Sequence, residues 1–447
     1  MTAEIVVMNR QAIALAADSA LTITRDVEQR MFPSANKLFS LSQEHQIGIM
    51  VFGAATHFGV PWETLFKTYR SDVVDRKIKF KNIDESAQDF IHWLQLDRPI
   101  PMGVQYKGFL LRVELYYDRI WNMLEGAISE MESVSEPMLG DSIAQRIREK
   151  IEGERNRWRD ASFIEAIKDD GKQTSLTPFS DKDIEDCLES HRDRLREIMA
   201  ESFEKLPLPG DLEEMLLWIG AAMPFKWPDD WQTELTSGIV FAGFCEGNVF
   251  PAMCCYLISG AMNDMVWFKR DGTRCGSISF DTPSTICPFA QGEMVLSFLE
   301  GAEPDYQAMV STLLEDLAFD LIRDVRAGLG SILDSGTQTE LLEDIAGVFG
   351  GRFQSLWNSM RDQRDSRFTT PVLELVADLD KSDLAELAKS LVSLTSLKKR
   401  YKRGEAETVG GPIDVAVISR GDGFVWIERK HYFDAKLNPH FIAKYYG

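Results

Sequence analysis

Residues 2–22 read TAEIVVMNRQAIALAADSALT, and the organisation of the whole chain turns on this stretch. Ala3 to Met8 is a short run of β-prone residues, Asn9-Arg10-Gln11 a polar turn, and Ala12 to Ala17 a second apolar run. That spacing predicts two strands joined by a turn. Asp18 falls where the second strand should end. Ahead of both strands stands Thr2. Once Met1 is removed, Thr2 carries a hydroxyl and a free α-amine on one residue, so nucleophile and base arrive together.

Working outward, Lys37-Leu38-Phe39-Ser40-Leu41 and Ile47 to Phe52 form a further predicted pair around the polar SQEHQ. Gly53-Ala54-Ala55 closes it with small residues that let a backbone come close to a ligand. Pro61-Trp62-Glu63 opens a predicted helix, where proline is tolerated in the first turn. From about residue 75 to 235 the pattern is helical and heavily charged, the charges reading most simply as solvated faces. β character returns at 238–244, 251–259, 265–270 and 276–280, and Cys287 to Gly292 is expected to start a helix ending near Gly301. A second helical tract follows. Ser382 is the expected N-cap of a helix bearing Leu384, Leu387, Leu391 and Leu394 on one side and ending in Lys398-Lys399-Arg400, a basic end that suits the helix dipole. Ile413 to Ser419 and Gly423 to Ile427 form a predicted hairpin over Arg420-Gly421-Asp422.

Composition bounds the function. The chain has 447 residues, 44% of them hydrophobic, enough for a sizeable core and more than one domain. A net charge of −21 argues against nucleic acid as the main partner, because phosphate binding needs clustered Lys and Arg. The six cysteines have no CxxC spacing, which suits a reducing compartment and argues against a structural zinc site. MTAEIVV has no basic n-region, and no run of 18 apolar residues occurs, so a cytoplasmic protein that spans no membrane is expected. No metal site is expected either, since the six histidines are dispersed. There is no G-x-S-x-G elbow, no phosphate-binding G-x-x-x-x-G-K-[ST] loop and no H-E-x-x-H helix.

In order, these pieces are strands, helices, strands, helices, strands. With Thr2 and Ala16-Ala17-Asp18-Ser19, Asn36-Lys37-Leu38-Phe39, Phe52-Gly53-Ala54-Ala55, and Gly410-Gly411-Pro412-Ile413-Asp414-Val415 followed by Asp422-Gly423-Phe424, the chain resembles the proteasome β-type subunits of the N-terminal nucleophile hydrolase superfamily. Val240 to Phe244 and Pro288 to Gly292 resemble that family's middle strand and the start of its third helix. The resemblance implies an α+β fold, a four-layer αββα sandwich carrying two mainly helical insertions. Its core would comprise residues 1–74, 236–301 and 381–447, the last including a C-terminal tail, with insertions at 75–235 and 302–380.

Residue by residue, the resemblance implies a threonine-type hydrolase of peptide or amide bonds that forms an acyl-enzyme on Thr2 and needs no cofactor. Thr2 would attack the carbonyl carbon and its α-amine would take the proton. Lys37 would favour the alkoxide, Asp18 would hold Lys37, and the Gly53 N–H would complete an oxyanion hole. Ser19, Thr285 and Thr408 would support them. Thr285 stands where the family has a serine before its third helix. Thr408, with Glu405 and Glu407, lies near Ala406 and Val409, which replace an aspartate and a serine. Leu21, Ala35, Val51 and Ala55 match the positions that shape the first specificity pocket and imply an apolar preference. Relatives form rings, so a homo-oligomer acting on peptide or protein substrates is expected; nothing in the sequence indicates an ATP-driven unfoldase partner. Two alternatives stay open: an inactive scaffold for assembly or sensing, and a hydrolase of non-peptide amides.

Overall fold

The computed structural model describes residues 3–25, 28–32, 35–96, 100–132, 139–169, 174–203, 208–228, 235–329, 335–401, 410–431, 433–434 and 437–440. The opening stretch forms β1 (Ala3–Asn9) and β2 (Ala12–Asp18), antiparallel, with Glu4 opposite Ala17 and Met8 opposite Ile13. The Asn9 side-chain oxygen accepts from the Gln11 and Ala12 N–H groups and so closes the turn. A hairpin of β3 (Leu21–Arg25) and β4 (Glu28–Phe32) follows, then β5 (Leu38–Ser40), β6 (Ile47–Gly53) and the short pair β7 (Thr56–His57) and β8 (Val60–Pro61).

The helical tract comprises α1 (Trp62–Arg76), α2 (Ile83–Leu96), α3 (Met102–Glu132) and α4 (Leu139–Asp160). Next come a hairpin of β9 (Glu165–Asp169) and β10 (Thr174–Pro178), and then α5 (Asp181–Ser202) and α6 (Gly210–Ala222). Ser180 and Asp183 cap α5 reciprocally, satisfying N–H groups that would otherwise be orphaned at its first turn. Strands resume with β11 (Ser237–Gly243), β12 (Ala252–Met262), β13 (Met265–Arg270), β14 (Gly276–Ser277) and β15 (Ser284–Ala290). The chain continues through α7 (Glu293–Glu300), α8 (Pro304–Leu329), α9 (Ser335–Arg364), α10 (Thr370–Asp378) and α11 (Lys381–Tyr401) to the hairpin β16 (Ile413–Ser419) and β17 (Gly423–Glu428).

Four sequence expectations are corrected. Cys287 to Gly292 does not start a helix: residues through Ala290 belong to β15, paired along β1, and the helix starts at Glu293. Pro288 is tolerated because β15 lies at the end of its sheet, where one side of the strand needs no donor. The cap of α11 is Asp380, whose carboxylate accepts from the Ser382 and Asp383 N–H groups at 2.8 and 2.9 Å, not Ser382. Of the strand expected over 276–280, only Gly276–Ser277 forms. The tract read as wholly helical contains the β9–β10 hairpin.

The chain divides into two compact units. The first holds residues 1–48, 248–252 and 276–447, with a five-stranded sheet in the order β15-β1-β2-β16-β17. Ile5, Val7, Ala14, Ala16, Val415 and Val417 pack from this sheet against Val295 and Leu299 of α7, Val376 of α10 and Leu384, Ala388 and Leu391 of α11. Alanines at every second position of β2 meet Ala385 and Ala388 of α11, a pairing of small side chains that lets helix and sheet approach closely. Every residue of β1 and β2 is buried, so both strands are covered on both faces.

The second unit holds residues 49–247 and 253–275. Strands β13, β12, β11 and β6 lie side by side in that order. Over them Trp62, Phe66, Tyr69, Phe90 and Trp93 of α1 and α2 form a cluster with Phe241 of β11, their ring centroids 5.0–6.3 Å apart. Each such ring contributes about 1.5–3 kcal/mol by leaving water. In the helical part, Tyr117 of α3 donates its hydroxyl to the Leu216 carbonyl of α6 at 2.8 Å. Gly220 permits this, since a Cβ there would meet the Tyr117 hydroxyl at 2.7 Å.

Candidate active site: a buried lysine between two carboxylates

Where β1 begins and β2 ends, three charged side chains are buried together. Lys37 Nζ lies 2.5 Å from Asp18 Oδ1 and 3.0 Å from Glu4 Oε1, and both carboxylate side chains are fully buried. Asp18 Oδ1 also accepts from the Ala3 N–H at 3.1 Å, and Oδ2 from the Gly410 N–H at 2.9 Å. One aspartate thus holds the start of β1, the lysine and the turn leading into β16. Charges cost several kcal/mol each to bury, and such a cluster persists only because ion pairing and charge-assisted hydrogen bonds offset that cost.

The strand register brings the two acids to the same end of the β1–β2 pair. Asp18 is the last residue of β2, opposite Ile413, and Glu4 faces Ala17 across the β1–β2 pair. Ser19 reinforces the corner: its hydroxyl donates to the Pro412 carbonyl at 2.5 Å, and its carbonyl accepts from the Ala35 N–H at 3.1 Å. That second bond ties the segment leading to Lys37 onto the end of β2.

Thr2 precedes this clamp by one peptide bond, and both Thr2 and Thr408 lie outside the described residues. Thr285 is placed differently from the sequence expectation. It stands opposite Met8, whereas Ala290 stands opposite Ala3, which puts Thr285 roughly 17 Å along the strand from the clamp. Support of the N-terminal residue by that hydroxyl is therefore corrected. The next residue after Ala290 is Gln291, which is buried and whose amide nitrogen and oxygen both lack a hydrogen-bond partner among the described residues. Ala290 itself has a φ of +55°, rare for a residue with a side chain and costly unless the surroundings impose it.

Two residues of this corner escaped the sequence reading. Glu4 had a signal, a lone acid inside the apolar run AEIVVM. Gln291 had only a weak one, a polar residue between Ala290 and Gly292, because its importance depends on a register that the sequence does not display.

Gly53, Val51 and Ala55 belong to the second unit, while Leu21 and Ala35 belong to the first. Gly53 has a φ of +77°, and a Cβ there would come 2.4 Å from the Thr236 carbonyl oxygen, so the position requires glycine. The turn after it is fixed by Ala54, whose N–H donates to the Thr236 carbonyl and whose carbonyl accepts from Trp62 Nε1 and Ser237 Oγ. Val51 is buried in β6 and Ala55 is half-buried.

Among the described residues, no group of three or more His, Cys, Asp or Glu side chains could hold a metal ion, and no helix is long and apolar enough to cross a membrane. Neither a model of a known protein family nor a characterised protein matches the chain.

Proposed function

We propose that this chain is a proteasome-like N-terminal threonine hydrolase, cleaving peptide or amide bonds through an acyl-enzyme on Thr2 after Met1 is removed. The observation that carries the reading is the Asp18–Lys37 pair clamped to the Ala3 N–H, immediately after the proposed nucleophile. The αββα sandwich, with helical insertions and assembly into a homo-oligomer in the cytoplasm, is part of the same proposal. The sandwich part of it is supported by the sheet-and-helix layer found in each unit.

In this mechanism the Thr2 hydroxyl oxygen bonds to the carbonyl carbon while its proton passes to the Thr2 α-amine. A free α-amine has a pKa of about 7.7–8.0, close to the ideal for a base working near neutrality. Lys37 carries a fixed positive charge into a buried corner, where it favours the developing alkoxide. Collapse of the tetrahedral intermediate breaks the C–N bond, and the α-ammonium returns the proton to the departing amine. Water then cleaves the ester. The family resemblance assigns the oxyanion donor to the Gly53 N–H.

A second reading, a catalytically inactive scaffold, is favoured by one observation: Thr285, the expected supporting hydroxyl, lies at the far end of β1. A peptide epoxyketone decides between the two. On native-host protein whose intact mass shows Met1 removed, the hydrolase gives an adduct that Thr2→Ala abolishes. No adduct on protein that begins at Thr2 establishes the scaffold, and retention of Met1 rules out the threonine mechanism.

A further inference from the structure

The second unit buries a cation in an unusual way. Arg112 of α3 is only 8% exposed, and no carboxylate among the described residues is paired with it. Its Nη1 donates to the Gly108 carbonyl at 2.7 Å, one turn back on its own helix, and its Nε makes a long contact of 3.4 Å to the Ser259 hydroxyl. Nη2 has no partner among the described residues. The guanidinium lies over two rings, with Cζ 5.7 Å from the centroids of both Phe58 and Trp267. Burial lowers its pKa only to about 10, so it stays charged at neutral pH.

Beside it is His57, 5% exposed, in an edge contact with Phe58 at 4.8 Å and 5.3 Å from the Trp62 ring. Its Nε2 is wholly cut off from solvent and has no hydrogen-bond partner among the described residues. Burial and the charge of Arg112 push its pKa down to about 3, so the ring is neutral and carries one N–H. A buried guanidinium with no carboxylate and a buried imidazole nitrogen with no partner, both among the described residues, thus lie close together, an arrangement that native proteins rarely leave unanswered.

The backbone is shaped around the guanidinium. A Cβ at Gly260 would come 3.0 Å from Arg112 Cζ, and one at Gly108 would come 3.2 Å from Nη1 and 2.5 Å from the Phe58 ring. Glycines on two sides leave the planar fork the room that a side chain would take. Cation–π contacts recover about 2 kcal/mol of the cost of burying a charge, less than that cost.

We propose that Arg112 and His57 form a binding site for a singly charged oxyanion, a carboxylate above all. One oxygen accepts from Arg112 Nη2 and the other from the imidazole N–H. A monoanion balances the single positive charge of the site, and the guanidinium fork matches the two oxygens of a carboxylate. The carboxylate can belong to a free small acid or to the end of a larger molecule, and inorganic phosphate shares the chemistry. The site stands independently of the Thr2 mechanism.

The test is isothermal titration calorimetry of the full-length protein at constant ionic strength, with sodium acetate, inorganic phosphate and chloride as separate arms. Saturable one-to-one binding of acetate, at least tenfold weaker in Arg112→Met and also weakened in His57→Phe, supports the site. Phosphate binding in place of acetate, lost in the same variants, supports an oxyanion site and reassigns its ligand. Chloride competing equally with both removes the oxyanion selectivity and overturns the proposal. So does a lack of saturable binding in the wild type, or acetate binding unchanged in both variants. If Arg112→Met does not fold, Arg112→Lys keeps the charge but not the fork, and it must weaken acetate binding for the proposal to stand.

Discussion

Each unit buries a cation, and the two are held by opposite means. In the first unit Lys37 lies within 3.0 Å of two buried carboxylates, and Asp18 is tied further to the Ala3 and Gly410 backbone. In the second unit Arg112 has two aromatic rings, one carbonyl and a long contact to a hydroxyl. The first arrangement fixes an ammonium by directional bonds and sets two carboxylates against its one charge. The second leaves a positive charge without a carboxylate partner among the described residues. A charge that is over-paired inside the chain is built for positioning, whereas an under-paired one is built to receive something.

The contrast predicts graded effects. Lys37→Met leaves two carboxylates buried without their cation and should cost about 3–5 kcal/mol in urea unfolding, enough to compete with the whole stability of a domain. An effect below about 1 kcal/mol would show that Lys37 is solvated and break the comparison. Activity assays on Lys37 variants must therefore be paired with stability measurements, since lost labelling could reflect lost folding.

Gly53→Ala should cost about 2–4 kcal/mol, because it adds a Cβ at a φ of +77° and 2.4 Å from the Thr236 carbonyl oxygen. Urea unfolding followed by tryptophan fluorescence measures this, and a neutral outcome would mean that the 53–55 turn relaxes freely. The turn geometry would then be no basis for an oxyanion donor.

His57 gives a pH signature. Its pKa is near 6.5 when unfolded and about 3 when buried, so between those values the unfolded chain binds one proton more than the folded one. Its contribution to stability is complete above pH 6.5 and is lost as pH falls toward 3, with a slope of about 1.4 kcal/mol per pH unit. Comparing wild type with His57→Phe from pH 7 to 4, in buffer free of carboxylate and phosphate, isolates that slope. Identical curves would place a counter-charge beside the imidazole and weaken the contrast with Lys37.

The smallest effect is expected for Arg112→Met in the same buffer, about 1 kcal/mol, because an unpaired buried cation contributes little that an apolar side chain cannot replace. A loss as large as that of Lys37→Met would mean that the two cations are held equivalently.

Much of the first unit was legible in advance. The alternating AEIVVM and AIALAAD runs specify two strands and their turn, and Asp18 and Lys37 were singled out from the residues that resemble the family. Glu4 was readable as a charge in an apolar strand but was passed over. Thr285 was misplaced because sequence order places it near the third helix, while the antiparallel register carries it to the far end of β1. Ala290 stands opposite Ala3 instead, with Gln291 following it. A one-strand register decides which residue stands next to the chain start, and register depends on pairing between segments nearly 300 residues apart. The Arg112 site was invisible for the same reason: Phe58, Gly108, Arg112, Ser259 and Trp267 come from four separate stretches, and no periodicity links them.

What the sequence determined by itself is local: strand and helix segments, the glycine turn at 53 and the basic end of α11. These follow from side-chain period, backbone freedom and charge, all expressed within a few residues. Only the tertiary structure decided which polar groups share a buried space. The cost of burying a charge depends on every neighbour at once, and those neighbours are assembled by long-range pairing rather than by sequence order.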